Sequence, residues 1–197
     1  MQARFRSSRQ VLIALAAVTA FTVAADAQMP TIKFEVRPFV GAYIPTGNQR
    51  DVLKDAVLTG AQASWHVIPA LSFTGTFAWS PSKDRITAGD QTLDIYQYDV
   101  GAELRGSSWY QAPTWDFTPF AGLGLGGRTY SYRNLNAGST NDFDGYGALG
   151  GDFGIGVIGV RIEGRDYVSQ FKPLTGTGDS KTRNDVGLFV GLSYRFR

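Results

Sequence analysis

The sequence has no cysteine and only one histidine, His66. Disulfides and thiolate metal sites are therefore excluded, and the usual zinc ligand sets cannot be assembled. The G-x-S-x-G motif is also missing, and with it the nucleophile elbow of serine hydrolases. The glycine-rich run 123–127 (LGLGG) lacks the lysine of a phosphate-binding loop. We therefore expect no enzymatic activity and no cofactor.

A segment long enough to be a membrane-spanning helix is missing as well. The apolar stretch 11–25 is shorter than the ~20 residues that such a helix needs. Arginines precede this stretch, and Ala25-Asp26-Ala27 at its end matches a signal-peptidase cleavage site. A cleaved signal is thus favoured over a membrane anchor. We divide the chain into a signal peptide, 1–27, and one domain, 28–197.

An excess of positive charge is absent from the predicted domain. Residues 1–27 hold three of the 19 basic and one of the 17 acidic residues, which leaves 16 of each sign. Nucleic-acid binding would need a basic patch, so we expect no nucleic-acid partner. If the domain spans a membrane, a closed barrel is the only fold left that satisfies its backbone hydrogen bonds in lipid.

The sequence is rich in strict alternation of apolar with polar or small residues. In 185–197 (DVGLFVGLSYRFR), every second residue from Val186 to Phe196 is apolar, and those between are mostly small or charged. A period of two over more than ten residues predicts a strand of nearly the ~9–11 residues that a tilted membrane-crossing strand needs. Turn signals separate eight such segments, 34–44, 57–66, 71–80, 93–105, 117–130, 145–155, 160–168 and 185–197.

These segments predict an all-β fold, an eight-stranded antiparallel up-and-down transmembrane β-barrel after a cleaved signal peptide. Short turns then face the periplasm, and longer loops face outward. We expect Phe73 and Phe77 to face lipid and Thr74 and Thr76 to face the lumen. A soluble lipocalin-like carrier has the same alternation but buries its apolar face around a ligand. The length of the strands and the terminal aromatic residue favour the membrane.

Four short stretches carry a family resemblance, namely 39–43 (FVGAY), 119–124 (PFAGLG), 161–167 (RIEGRDY) and 194–196 (YRF). Through them the predicted domain resembles the small eight-stranded outer-membrane barrel proteins of the outer-membrane protein A and X type. Members usually finish on the terminal aromatic residue, whereas here Arg197 follows it. The resemblance implies location in the outer membrane, contact with outer-membrane lipid, and recognition by the barrel-assembly machinery during insertion.

The candidate functional residues are the charged ones that alternate with the apolar positions and are therefore predicted to face the lumen. The interior of an eight-stranded barrel is just wide enough for side chains to fill, and a buried charge is costly unless it is paired. We expect Arg161, Glu163 and Arg165 to reach into space beside inward glycines such as Gly124 and Gly150, with Glu163 shared by both arginines. A network that plugs the lumen is favoured over the lining of an ion path. The predicted lumen network comprises Glu35, Arg37, Asp99, Glu103, Arg105, Asp152, Arg161, Glu163, Arg165 and Arg195.

Four functions remain open on the sequence alone. The favoured one is a structural or surface-display role, in which four outer loops meet a surface ligand of unknown identity. The alternatives are a narrow channel or transporter for small solutes, an outer-membrane enzyme, and a soluble carrier. Outer-membrane lipid A deacylases use a histidine–serine pair, but His66 is followed by Val67 and Ile68 and lies at the predicted periplasmic end. We therefore expect His66 to be a polar residue at the lumen rim.

Overall fold

The computed structural model describes the part of the chain that forms the predicted barrel. The described residues are 33–47, 50–51, 53–83, 91–108, 110–111, 115–133, 139–171 and 181–196. The predicted signal peptide, 1–27, lies outside them. Within these ranges no helix combines the length and the apolar character that crossing a membrane requires.

Nine β-strands follow one another in the described chain. Eight are long, and the two-residue strand β5 pairs only with the start of β6. The strands are β1 (Phe34–Pro45), β2 (Ala56–Ile68), β3 (Leu71–Lys83), β4 (Thr92–Arg105), β5 (Tyr110–Gln111), β6 (Asp116–Tyr132), β7 (Thr140–Ile155), β8 (Ile158–Phe171) and β9 (Lys181–Phe196).

The sheet closes on itself through pairing of its first and last strands. Each long strand pairs antiparallel with the next one, β4 pairs directly with β6, and β1 pairs with β9. Following the register once around from Phe34 leads back to β1 at Ile44, ten residues further along. Such a stagger accompanies strongly tilted strands. The predicted eight-stranded antiparallel up-and-down barrel is confirmed.

The long strands extend beyond the predicted segments, most of all at the end where the longer connections lie. β6 continues to Tyr132 and β7 begins at Thr140, although the predicted segments end at 130 and begin at 145. The ladder continues there, for example between Arg128 and Asp142. Strand pairing continues past the alternating segments because, where a strand leaves the lipid, its outer face is no longer required to be apolar. Segment 106–116, predicted as a turn, contains the short strand β5.

The two faces of the wall differ as predicted. In β3, Phe73 and Phe77 are 49% and 50% exposed, whereas Thr74 and Thr76 are 4% and 6% exposed. The short connections β2–β3 and β7–β8 lie at one end of the barrel, the turn end. Aromatic rings cluster there on the outer face, where the centroids of Phe34 and Phe196 lie 6.1 Å apart. A polar interior within an apolar outer wall is the reverse of a soluble carrier. This arrangement excludes the lipocalin-like alternative.

Candidate functional site

All ten charged residues selected from the sequence lie inside the barrel. Nine are at most 5% exposed, and the side chain of Arg105 is 8% exposed. Because side chains alternate across each strand, one parity of every long strand brings its polar groups into the same narrow space. The structure joins these residues, directly or through one another, in a chain of contacts that runs along the barrel axis.

Glu35 is the centre of the cluster at the turn end. Its Oε1 accepts a hydrogen bond from Arg195 Nε at 2.9 Å, and its Oε2 accepts one from Arg37 Nη2 at 3.0 Å. The Nε2 of His66 lies 3.3 Å from Oε2, and Nη1 of Arg105 lies 3.8 Å from it. His66 is thus a polar partner of Glu35 at the end of the lumen.

Arg161 and Glu163 form the middle of the network. Arg161 binds three carboxylates, with Nη1 at 3.2 Å from Asp152 Oδ2, Nε at 2.8 Å from Glu163 Oε2, and Nη2 hydrogen-bonded to Glu103. The other oxygen of Glu163 accepts a hydrogen bond from Nε of Arg165. Glu163 therefore bridges both arginines, as its spacing in the sequence predicts.

Arg165 extends the network toward the loop end, which is the end of the barrel opposite the turn end. Its Nη1 donates to Asp99 Oδ2 at 2.8 Å, and its Nη2 donates to Thr76 Oγ1 at 3.0 Å. The hydroxyl of Tyr167 also donates to Asp99 Oδ2, at 3.0 Å. Arg165 of β8 and Thr76 of β3 belong to opposite walls, so this contact crosses the whole lumen.

The inward glycines make room for aromatic rings more than for arginines. The ring of Tyr146 fills the space above Gly124, and the guanidinium of Arg165 lies over that ring, 4.4 Å from its centroid. The predicted direct reach of the arginines into the glycine space is therefore wrong at these positions, because a flat ring fits there and offers its face to the cation. The same stacking occurs at Gly150, where the ring of Phe120 fills the space above the glycine and the guanidinium of Arg161 lies over that ring.

A second ion-pair cluster near the loop end was missed by the sequence analysis. Arg128 is buried, with Nε 2.9 Å from Asp144 Oδ2 and Nη1 hydrogen-bonded to Asp185. Its guanidinium lies 4.5 Å from the ring centroid of Tyr167 and 5.6 Å from that of Tyr43. The signal was present, since Arg128 and Asp185 fall on inward parities, but Asp144 was assigned to a loop.

Between Arg128 and the outer loops, apolar side chains dominate the interior, although Ser80 and Ser82 are buried there too. This differs from the expected polar lumen. Leu53, in the connection between β1 and β2, is completely buried. The backbone nitrogen of its neighbour Lys54 donates to the carbonyl oxygen of Lys83 at 3.1 Å and ties this connection to the end of β3. The buried residues of this apolar layer are Leu53, Leu58, Leu93, Ile95, Tyr130 and Tyr132.

The described part of the lumen contains a small cavity and no metal centre. No group of three or more metal-ligating side chains occurs in those ranges. A cavity of about 10 Å³ lies between Arg37, Phe39, Gln62, Arg161 and Glu163. Such a volume holds about one water molecule. The arrangement is suited to filling and bracing a barrel.

Comparison with known proteins identifies relatives by fold only. No protein-family model and no curated protein matches the chain. Neisserial surface protein A is 12% identical with a TM-score of 0.60, over 83% of this chain and 97% of that one. The outer-membrane protein OprG from Pseudomonas aeruginosa is 15% identical with a TM-score of 0.52, over 87% and 100%. The N-terminal β-barrel domain of OprF from the same organism is 13% identical with a TM-score of 0.50, over 82% and 97%.

The shared fold agrees with the physical character of the two faces. The outer wall exposes apolar side chains such as Leu123, Leu149 and Leu192 at 62–74%, which requires a lipid environment rather than water. Among the described strand residues, charges lie in the interior and at the ends of the strands, with Asp166 as an exception on the outer face. The chain is a small eight-stranded β-barrel of the outer-membrane type and is located in the outer membrane.

Proposed function

We propose that this protein is a closed barrel with a structural or surface-display role, in which the outer loops meet the environment and the lumen conducts no solutes. The observation that carries this proposal is the set of contacts across the lumen. Arg165 of β8 contacts Thr76 of β3, and Arg161 of β8 contacts Glu103 of β4. Solute passage would have to break these contacts.

A second obstruction lies in series with the first. The apolar layer around Leu53 covers the loop end of the interior, above the charged network. A hydrophobic constriction hinders ions because they would have to shed their water there. Two unlike barriers, one of paired charges and one of apolar side chains, favour the closed barrel over a narrow channel or transporter.

The proposed role includes no catalysis. The only histidine, His66, contacts the carboxylate of Glu35, which is itself engaged by arginines. The proposed partners are outer-membrane lipid along the apolar wall, the barrel-assembly machinery through β9 during insertion, and a surface ligand at the outer loops. A nucleic acid is not among them, because the charges of the predicted domain balance.

Conductance across a planar lipid bilayer tests the proposal. Residues 28–197 are refolded, inserted and held at constant voltage in a solution of a simple salt. We expect no steady conductance above that of the bare bilayer. The control is the double variant Leu53→Ser with Glu163→Ala, which weakens both barriers and is expected to conduct. A large, steady wild-type conductance would replace the closed barrel with the channel function.

A further inference from the structure

Two buried carboxylates face each other across Gly126. Asp99 on β4 is the register partner of Gly126 on β6, and Gly126 is the partner of Asp144 on β7. The Oδ1 atoms of both aspartates occupy the space that a side chain at Gly126 would take. Asp99 is 3% exposed and Asp144 is 1% exposed. The glycine thus lets two acidic groups from non-adjacent strands approach one another.

The hydrogen bonds to Asp99 are distributed unevenly over its two oxygens. Its Oδ2 accepts from Gln97 Nε2 at 2.8 Å, from Arg165 Nη1 at 2.8 Å and from the Tyr167 hydroxyl at 3.0 Å. Its Oδ1 accepts from none of the described residues, and neither does Oδ1 of Asp144. Both Oδ1 atoms border Gly126. Oδ2 of Asp144 also accepts no hydrogen bond from the described residues, although it lies 2.9 Å from Nε of Arg128.

Positive charge near the pair is too scarce to neutralise both carboxylates. Arg165 also binds Glu163, and Arg128 also binds Asp185, so each arginine is divided between acids. Two ionised carboxylates that border the same glycine inside a barrel repel each other. The charged and titratable groups that face the pair are Arg128 of β6, Arg165 and Tyr167 of β8, Asp185 of β9 and Tyr146 of β7. Tyr43 of β1 lies against Arg128.

We propose that Asp99 and Asp144 share one proton across Gly126. The carboxylic acid of one residue donates an O–H···O hydrogen bond to the carboxylate of the other, and the pair carries a single negative charge. A hydrogen bond of this charged kind is short and strong. It ties β4 to β7 over the intervening β6 in the outer half of the lumen. The inference goes beyond the closed barrel and holds whether or not the lumen conducts.

Infrared spectroscopy of the refolded protein in vesicles tests for this proton. At neutral pH we expect wild type to show the C=O stretch of a buried protonated carboxylic acid. Asp144→Asn and Asp99→Asn should each lose that band, because the remaining aspartate then ionises beside a neutral amide. The control Asp152→Asn removes a carboxylate that is 2.9 Å from Arg105 and should retain the band. Absence of the band in wild type, or its persistence in both single variants, overturns the proposal.

Unfolding at different pH supplies a second readout. The folded pair keeps a proton that an unfolded aspartate, with a pKa of ~3.9, has already released, so wild type should lose stability as pH rises from about 4 until the pair itself ionises. In Asp144→Asn the urea midpoint should depend less on pH in this range. An equal pH dependence in both proteins contradicts the proposal. So does a wild type that lacks the infrared band and whose midpoint rises with added Na⁺ or Ca²⁺, because a bound cation then neutralises the pair.

Discussion

Replacement of Glu163 by alanine is the sharpest test of the lumen network. The side chain is 3% exposed and accepts hydrogen bonds from Nε of Arg161, at 2.8 Å, and from Nε of Arg165. Its removal leaves two buried guanidinium groups without their shared anion. The expected result is a clear fall in the free energy of unfolding.

The magnitude follows from the contacts that survive. Breaking a buried ion pair by removal of one partner costs about 3–5 kcal/mol. Arg161 keeps Glu103 and Asp152, and Arg165 keeps Asp99, so neither cation is left without an acid. The cavity beside Glu163 also lets water enter the vacated space. Both effects reduce the loss, and we expect about 3 kcal/mol, the lower end of the range.

Reversible urea unfolding in lipid vesicles, followed by tryptophan fluorescence, measures this loss. Asp166→Ala is the matched control, because Asp166 lies on the same strand, faces outward and forms no ion pair with the described residues. This variant should not lower the free energy of unfolding, because it removes a charge from the lipid-facing wall and leaves the ion pairs of the lumen intact. Equal stability of Glu163→Ala and wild type would refute the reasoning, since it would mean that the ion pairs do not hold the lumen together.

Three further predictions concern the outer wall, the lumen and the apolar layer around Leu53. Leu188→Arg, on the lipid face of β9, should destabilise the barrel by about 2–4 kcal/mol, whereas Thr182→Arg near the loop end of that strand should cost at most about 1 kcal/mol; the reverse order in vesicle unfolding would contradict the assignment of faces. Since the chain has no cysteine, Thr76→Cys and Phe77→Cys give clean labelling sites. A lipid-soluble reagent should label Phe77→Cys, and a water-soluble one should label Thr76→Cys only after unfolding; rapid labelling of folded Thr76→Cys would indicate a water-filled lumen. Leu53→Ala should lower the unfolding free energy by about 2–5 kcal/mol, and an unchanged value in urea unfolding would show that Leu53 does not pack in the apolar layer.

The topology was predictable because lipid imposes a strict rule on one face. Outward side chains within the bilayer are apolar or small, with Asp166 as the exception, so the alternation in β3 is strong enough to place Phe73 outside and Thr74 inside. The same rule explains the missed strand ends. Where β6 and β7 project beyond the lipid, around Arg128 and Asp142, neither face is required to be apolar and the periodic signal fades.

The partners inside the lumen were less predictable than the faces. The alternation shows that Arg128 points inward, but its contact with Asp185 joins β6 to β9, which is three strands away in the sheet. Such contacts depend on the stagger of the closed sheet, which the alternation does not encode. The apolar layer around Leu53 was not predicted, for a different reason. Leu93 and Ile95 are buried at inward positions of β4. In the sequence, an apolar residue at an inward position only interrupts the alternation and does not indicate an apolar layer inside the barrel.

The closing pair of strands brings together residues from distant parts of the chain. Glu35 and Arg195 are 160 positions apart and still share a hydrogen bond, and the backbone nitrogen of Lys33 donates to the carbonyl oxygen of Phe196 at 3.0 Å. The start of β1 and the end of β9 therefore stand side by side at the turn end. A short peptide spans that distance, and chain ends are tolerated at exposed connections. Circular permutation preserves every strand neighbour in this barrel, because its architecture depends on the cyclic order of the strands and not on which of them is translated first.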